Sequence, residues 1–356
     1  MQLGILGFPK AGKTTLFNTL TASHQATDKF SSSAETNIGI AQVADRRLEE
    51  LRDLFKPKRY VPATVQYMDI PGMRKGESAE SLDLAKLKNV DALVHVVRAF
   101  EDAEILHSEG SVDPARDVEI VDLELILADH TLVEKRLDRL EKATKRGLNP
   151  EEQRERHLLA DIVMPALEKE IPLREIELDA DDDRRLRGFQ LLSAKPMLLV
   201  INVDESRVAT TDPAALGIRL RPAVHAVVVS APIEDEISRL PAAEQADFLA
   251  SLDLSEPSLA RVTRASFDLL GLIAFFTVGE DEVRAWTIRR GTKAREAAGT
   301  IHSDLERGFI RAEVVGWEDL LRLKTLAACR EAGLLRLEGK EYEMKDGDVT
   351  NIRFNV

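Results

Sequence analysis

The stretch Gly7-Phe8-Pro9-Lys10-Ala11-Gly12-Lys13-Thr14 constrains this chain more than any other feature. It satisfies G-x-x-x-x-G-K-[ST], with the apolar run 2–6 before it and a helical pattern opening at Lys13-Thr14-Thr15-Leu16-Phe17. Strand, tight glycine turn and helix in that order make a loop whose backbone N–H groups curl round phosphates. The helix N-terminus adds the positive end of its dipole. Lys10, Ala11, Gly12, Lys13, Thr14 and Thr15 form the expected cradle. Lys13 would neutralise charge at the β- and γ-phosphates, and the Thr14 hydroxyl would ligate magnesium.

A second strand, 65–69, ends at Asp69-Ile70-Pro71-Gly72. There a carboxylate reaches magnesium through water, and Gly72 can offer its backbone N–H to a γ-phosphate. Behind a phosphate loop, D-x-x-G is what a nucleotide switch requires. Such switches often follow that glycine with a glutamine that orients the attacking water. This chain has Met73, which cannot hydrogen-bond in that way. His107, in the loop His107-Ser108-Glu109-Gly110, is the candidate replacement, its neutral imidazole accepting a hydrogen bond from water. An exposed loop histidine without function is the alternative.

Asn202-Val203-Asp204-Glu205 ends the strand 198–201. It is similar to the N-K-x-D base reader of GTPases, with Val203 for lysine and Glu205 for aspartate. The longer Glu205 side chain displaces the carboxylate that would accept two hydrogen bonds from guanine, so selectivity for GTP should fail. Ser230-Ala231-Pro232 ends the next strand, where G proteins carry their last base-contacting loop. Asn202, Val203, Glu205, Ser230 and Ala231 complete the expected nucleotide contacts.

Strands at 92–97, 198–201 and 224–229, separated by helical stretches, predict a parallel, doubly wound α/β sheet. Between 117 and 192, Ile126, Val133, Leu137 and Leu140 keep a heptad-like spacing among alternating charges until Gly147-Leu148-Asn149-Pro150. Leu158, Ile162 and Leu167 then begin a second amphipathic helix, so an inserted helical hairpin is expected. From about residue 273, paired strands (274–278, 283–288), a helix near Ser303-Asp304-Leu305-Glu306 and a closing strand 349–354 predict a small α+β domain. The domain reading is 1–116 with 193–272, an insertion at 117–192, and 273–356.

The 49 basic residues against 62 acidic ones give a net charge of −13, which excludes a generally basic nucleic-acid coat but leaves room for a local patch. The single cysteine, Cys329, excludes an internal disulfide and a thiolate zinc cluster. No run of 18 apolar residues occurs, so no membrane partner is expected, and the phosphate loop lies too near the N-terminus for a cleaved leader. The chain reads as cytoplasmic.

Phosphate loop, Asp69-Ile70-Pro71-Gly72 with hydrophobic Met73, Asn202-Val203-Asp204-Glu205 and helical insertion together resemble the YchF-type Obg-like ATPases. Distinctive stretches are Phe100-Glu101-Asp102, Gly110-Ser111-Val112-Asp113-Pro114, Trp286-Thr287-Ile288-Arg289-Arg290-Gly291-Thr292-Lys293 and Gly308-Phe309-Ile310-Arg311-Ala312-Glu313. The ending, Asp346-Gly347-Asp348 through Phe354-Asn355-Val356, is another. The resemblance implies a P-loop NTPase G domain with an inserted helical hairpin, then a ubiquitin-like (β-grasp) TGS domain. It also implies magnesium-dependent hydrolysis of ATP in preference to GTP, and association with ribosomes.

Three departures from the family pattern stand out. Lys10 replaces an asparagine, Pro232 replaces a lysine, and the first switch places Ser33 at the magnesium-binding threonine, with Thr36 as fallback. Residues 284–311 carry seven basic side chains against Glu296, Asp304 and Glu306, a net of +4. With Trp286 they suggest a surface for rRNA phosphates of the large subunit rather than DNA. Lys142, Lys145 and Arg146 at the hairpin tip would add a second contact. A GTPase of the same fold and a nucleotide-gated binding module with incidental hydrolysis remain the alternatives.

Overall fold

The computed structural model describes residues 1–22, 37–70, 82–144, 147–221 and 224–355. In chain order the strands are β1 (Gln2–Leu6), β2 (Asn37–Gln42), β3 (Arg59–Val61), β4 (Thr64–Asp69), β5 (Ala92–Ala99), β6 (Met197–Val203) and β7 (Val224–Val229). They continue with β8 (Leu272–Thr277), β9 (Glu282–Arg289), β10 (Phe309–Gly316), β11 (Arg336–Glu338) and β12 (Asp348–Phe354). They build two sheets, ordered β2-β4-β1-β5-β6-β7 and β11-β10-β12-β8-β9-β3. Among the described residues no helix is long and apolar enough to cross a membrane.

In the first sheet the pairs β1–β4, β1–β5, β5–β6 and β6–β7 are all parallel. Every residue of β5 and β6 is buried, as central strands covered on both faces require. Leu6, Val97, Leu199 and Ile201 pack against Ile233, Leu249 and the helix residues Val121 and Leu125. Because neighbouring strands run the same way, their carboxyl ends share one edge, where an open α/β sheet holds its ligand. Gly7, Asp69, Asn202 and the loop after Ala99 all leave the sheet on that edge.

The expected hairpin is present. The helix Pro114–Thr144 sends Ile126, Val133 and Leu140 against Leu158, Leu159, Val163 and Leu167 of the returning segment. Asn149 caps that return with a reciprocal capping box and Pro150 at its first position. Arg136 makes a two-pronged pair with Glu155 across the two arms, at 2.5 and 2.8 Å.

The chain divides into two compact units, 1–39 with 66–265, and 40–65 with 266–356. The insertion therefore groups with the first unit. Residues 40–65, expected within the nucleotide domain, group with the C-terminal residues. The physical cause is β3, which pairs in parallel with β9 (Arg59↔Glu282, Val61↔Arg284). Lys58 reinforces it with an ion pair to Asp281 at 2.8 Å. In the same unit Arg47 bonds both Asp45 and Asp346 and lies 5.4 Å from the Phe276 ring centroid. Phe275, Ile288, Ala312 and Val314 form this unit's core with Ala297 and Ala298 of the helix Ala294–Ile301.

Candidate nucleotide site

Gly7 and Gly12 carry φ of +138° and +98°, the conformations that turn the loop back on itself. A Cβ at Gly7 would come 2.4 Å from the Val96 carbonyl oxygen, and one at Gly12 would come 2.4 Å from Asn202 Nδ2. Lys10 also adopts a positive φ, 63°, where asparagine is better tolerated than lysine. Ala11 is buried. Thr15 lies in the first turn of the helix Lys13–Thr21, a turn without acidic residues that leaves its dipole free for an anion.

Lys13 is only 7% exposed, and its Nζ donates to the Phe8 carbonyl at 2.8 Å. Burial pushes its pKa down to about 8, opposed by the nearby Asp69 carboxylate. Thr14 Oγ1 donates to Asp69 Oδ2 at 3.1 Å. Desolvation holds the Asp69 carboxyl above the usual range, against the pull of Lys13 and the Thr14 bond. Asp69 Oδ1 is buried with no hydrogen-bond partner among the described residues. The Thr14 hydroxyl and the Asp69 carboxylate, one oxygen of it orphaned, beside an anion-binding loop are an all-oxygen set that fits magnesium. Gly72, Met73 and Ser33 lie outside the described residues, as do Thr36, Lys145 and Arg146.

Asn202 is buried, and its side chain is a strut. Nδ2 donates to the Ala11 carbonyl at 3.1 Å, and Oδ1 accepts the Ala231 N–H at 3.0 Å. It therefore ties the phosphate loop to the start of the helix Ala231–Arg239. Val203 points into the hydrophobic core. Glu205 is exposed at the head of a short turn, and Ser230 is buried as the residue capping the next helix, its Oγ without a partner among the described residues.

His107 is not an exposed loop residue, since its side chain is 3% exposed. Its Nδ1 accepts the Glu109 N–H at 3.1 Å, and its Nε2 lies 2.9 Å from Asp117 Oδ2 without the alignment of a hydrogen bond. The ring stands edge-on to Phe8 of the phosphate loop, centroids 6.1 Å apart. Sequence reasoning found the histidine but missed Asp117 and Phe8 as its neighbours. The only available signal was Asp113-Pro114, which starts the helix carrying Asp117. His95 was also missed. It is buried under the loop with neither ring nitrogen bonded among the described residues, and its Cδ2 is 3.3 Å from where a Cβ on Gly7 would sit.

Comparison with known proteins places this site in context. Residues 2–124 match the family MMR_HSR1, described as a 50S ribosome-binding GTPase, and residues 272–355 match YchF-GTPase_C, described as a protein of unknown function (DUF933). The chain is 44% identical over 366 residues to the ribosome-binding ATPase YchF of Bacillus subtilis, covering 100% of both chains. To the protein of the same name from Escherichia coli O157:H7 it is 39% identical over 362 residues, covering 100% of this chain and 99% of that one. The Schizosaccharomyces pombe YchF GTPase structure matches with a TM-score of 0.86 and 34% identity, over 99% of this chain and 97% of that chain. With relatives this similar along its whole length, and a glycine-rich loop at the carboxyl edge of a parallel sheet, the chain belongs to the YchF family.

Proposed function

We propose that this chain is a ribosome-binding ATPase that hydrolyses ATP to ADP and phosphate as a translation-linked switch. The observation that carries the reading is the meeting of Lys13, Thr14 and Asp69 behind the glycine turn. The names of the relatives, ribosome-binding ATPase, support it. Lys13 leaves the Phe8 carbonyl to meet the β- and γ-phosphates, and the N–H groups of residues 10–15 cradle them. Magnesium, held by Thr14 Oγ1 and through water by Asp69, would neutralise charge that develops on the transferred phosphoryl group. The base would lie near Asn202, Ser230 and Ala231. Val203 and Glu205 there lack the lysine and aspartate of a guanine reader, which favours ATP. His107 is the candidate to guide the attacking water. Because Nδ1 accepts the Glu109 N–H, the neutral ring carries its proton on Nε2. Nε2 would therefore orient the water by donating to its oxygen once it parts from Asp117, not by accepting from it.

The 284–311 region is the proposed rRNA surface, directed to large-subunit phosphates. Arg289, Arg290 and Arg295 are exposed, and the Arg284 guanidinium stacks 4.1 Å over the Trp286 ring. The test is ribosome co-sedimentation across a salt series with ATP, ADP or no nucleotide. Replacing Arg289, Arg290 and Lys293 together should lower the salt slope by about one unit per lost phosphate contact and leave ATP affinity unchanged. Equal binding by the triple variant at every salt concentration would make this surface a solvated face.

A further inference from the structure

Arg98, the penultimate residue of β5, is 2% exposed, yet among the described residues no carboxylate pairs with it. Burying an uncompensated guanidinium is costly, and an apolar side chain of similar volume would usually be tolerated as well. What the cation does instead is hold backbone. Nε donates to the Phe100 carbonyl at 3.1 Å, Nη2 donates to the Ile105 carbonyl at 3.0 Å, and Cζ lies 4.6 Å from the Phe100 ring centroid. Nη1 is buried without a partner among the described residues.

Those two carbonyls lie at the start and the middle of the loop that leads from β5 to His107. The far end of the same loop is also tied. Arg116 Nη2 donates to the Ser111 carbonyl at 2.7 Å and to Asp117 Oδ1 at 2.7 Å. His107 sits between these anchors, against Phe8. A guanidinium is suited to the first anchor because its planar fork reaches two separated carbonyls at once, whereas an ammonium is a point donor.

We propose that Arg98 is a positioning residue for ATP hydrolysis, fixing the path of residues 100–105 so that His107 is delivered to the phosphate loop. The proposal rests on the reading of His107 given above. Misplacing a reacting group by about 1 Å costs on the order of a hundredfold in rate.

The test measures kcat, ATP Kd and the His107 ring resonance in wild type, Arg98→Met, Arg98→Lys, His107→Ala and the double variant Arg98→Met/His107→Ala. The resonance is identified by its loss in His107→Ala. Arg98→Met should lower kcat by about tenfold to a hundredfold, leave Kd within about twofold and shift the His107 resonance. Arg98→Lys should fall between it and wild type, and the double variant should be no slower than His107→Ala. A His107 resonance unmoved in Arg98→Met, or losses that multiply in the double variant, would overturn the positioning role. His107→Ala at the wild-type rate would instead remove the histidine reading, a separate failure that the resonance still distinguishes.

Discussion

Replacing Gly12 with alanine tests whether the phosphate loop is braced as described. The added Cβ would sit 2.4 Å from Asn202 Nδ2, on a backbone with φ of +98°. The backbone strain alone costs about 1–2 kcal/mol for an L-residue. Asn202 must also move, and it then releases the Ala11 carbonyl and the Ala231 N–H that it bonds at 3.1 and 3.0 Å. Each buried group left unsatisfied costs about 1–3 kcal/mol. Gly12→Ala should therefore destabilise by at least about 3 kcal/mol. In an Asn202→Ala background the clash and the strut are already gone, so the same change should cost only the strain, about 1–2 kcal/mol. The coupling expected from a double-mutant cycle is at least about 2 kcal/mol, the sum for the two released groups, toward the top of the range for contacting residues. Urea unfolding followed by far-UV circular dichroism measures it, because both tryptophans, Trp286 and Trp317, lie in the C-terminal unit and report that unit instead. Additive losses would refute the claim that Asn202 is the strut holding this turn.

Three further outcomes follow from buried charge and backbone geometry. Lys13 has a pKa near 8, and bound triphosphate should raise it, so ATP binding takes up a proton above that pH. ATP affinity should weaken as pH rises through about 8, by up to tenfold per unit, read by calorimetry in buffers of differing ionisation heat. His95 is held neutral in the fold, its pKa pushed down to about 3 by burial and then by Arg174 and Lys13. The unfolded chain takes the proton first, so stability present above the ordinary histidine range is lost as pH falls toward 3. At pH 5 the loss is about 2 kcal/mol, and acid unfolding of His95→Leu should lack that component. Lys10→Asn should stabilise by about 0.5–1 kcal/mol, because φ of 63° suits asparagine better, and thermal unfolding measures it.

The candidate nucleotide site was largely legible because its parts are short local motifs set at strand ends. Glycines 7 and 12, Lys13, Thr14 and Asp69 each follow from a strand, a turn and a helix read in order. What sequence could not supply was the second use of a residue. Asn202 reads as a base contact, and only the folded sheet brings it to Ala11 and Ala231. His95 stands inside the apolar run 92–97 and Arg98 follows it. What makes them informative, the Gly7 turn beside His95 and the Phe100 and Ile105 carbonyls that Arg98 holds, lies outside β5. The hairpin followed from its heptad spacing and the Asn149-Pro150 cap. The placement of residues 40–65 did not, because β3 has three residues and pairs with β9 more than 200 positions away. No local pattern reports a pairing at that distance. The helix Ala294–Ile301 was also passed over, its buried face being alanine rather than large apolar side chains.

The central claim is that this phosphate loop hydrolyses ATP in preference to GTP. Its most direct test is phosphate release by wild type and Lys13→Ala, with ATP and GTP supplied as competing substrates and kcat/KM read for each. The account predicts a higher kcat/KM for ATP, and loss of most turnover of both nucleotides when Lys13 is removed. A clear preference for GTP, or undiminished hydrolysis by Lys13→Ala, would contradict it.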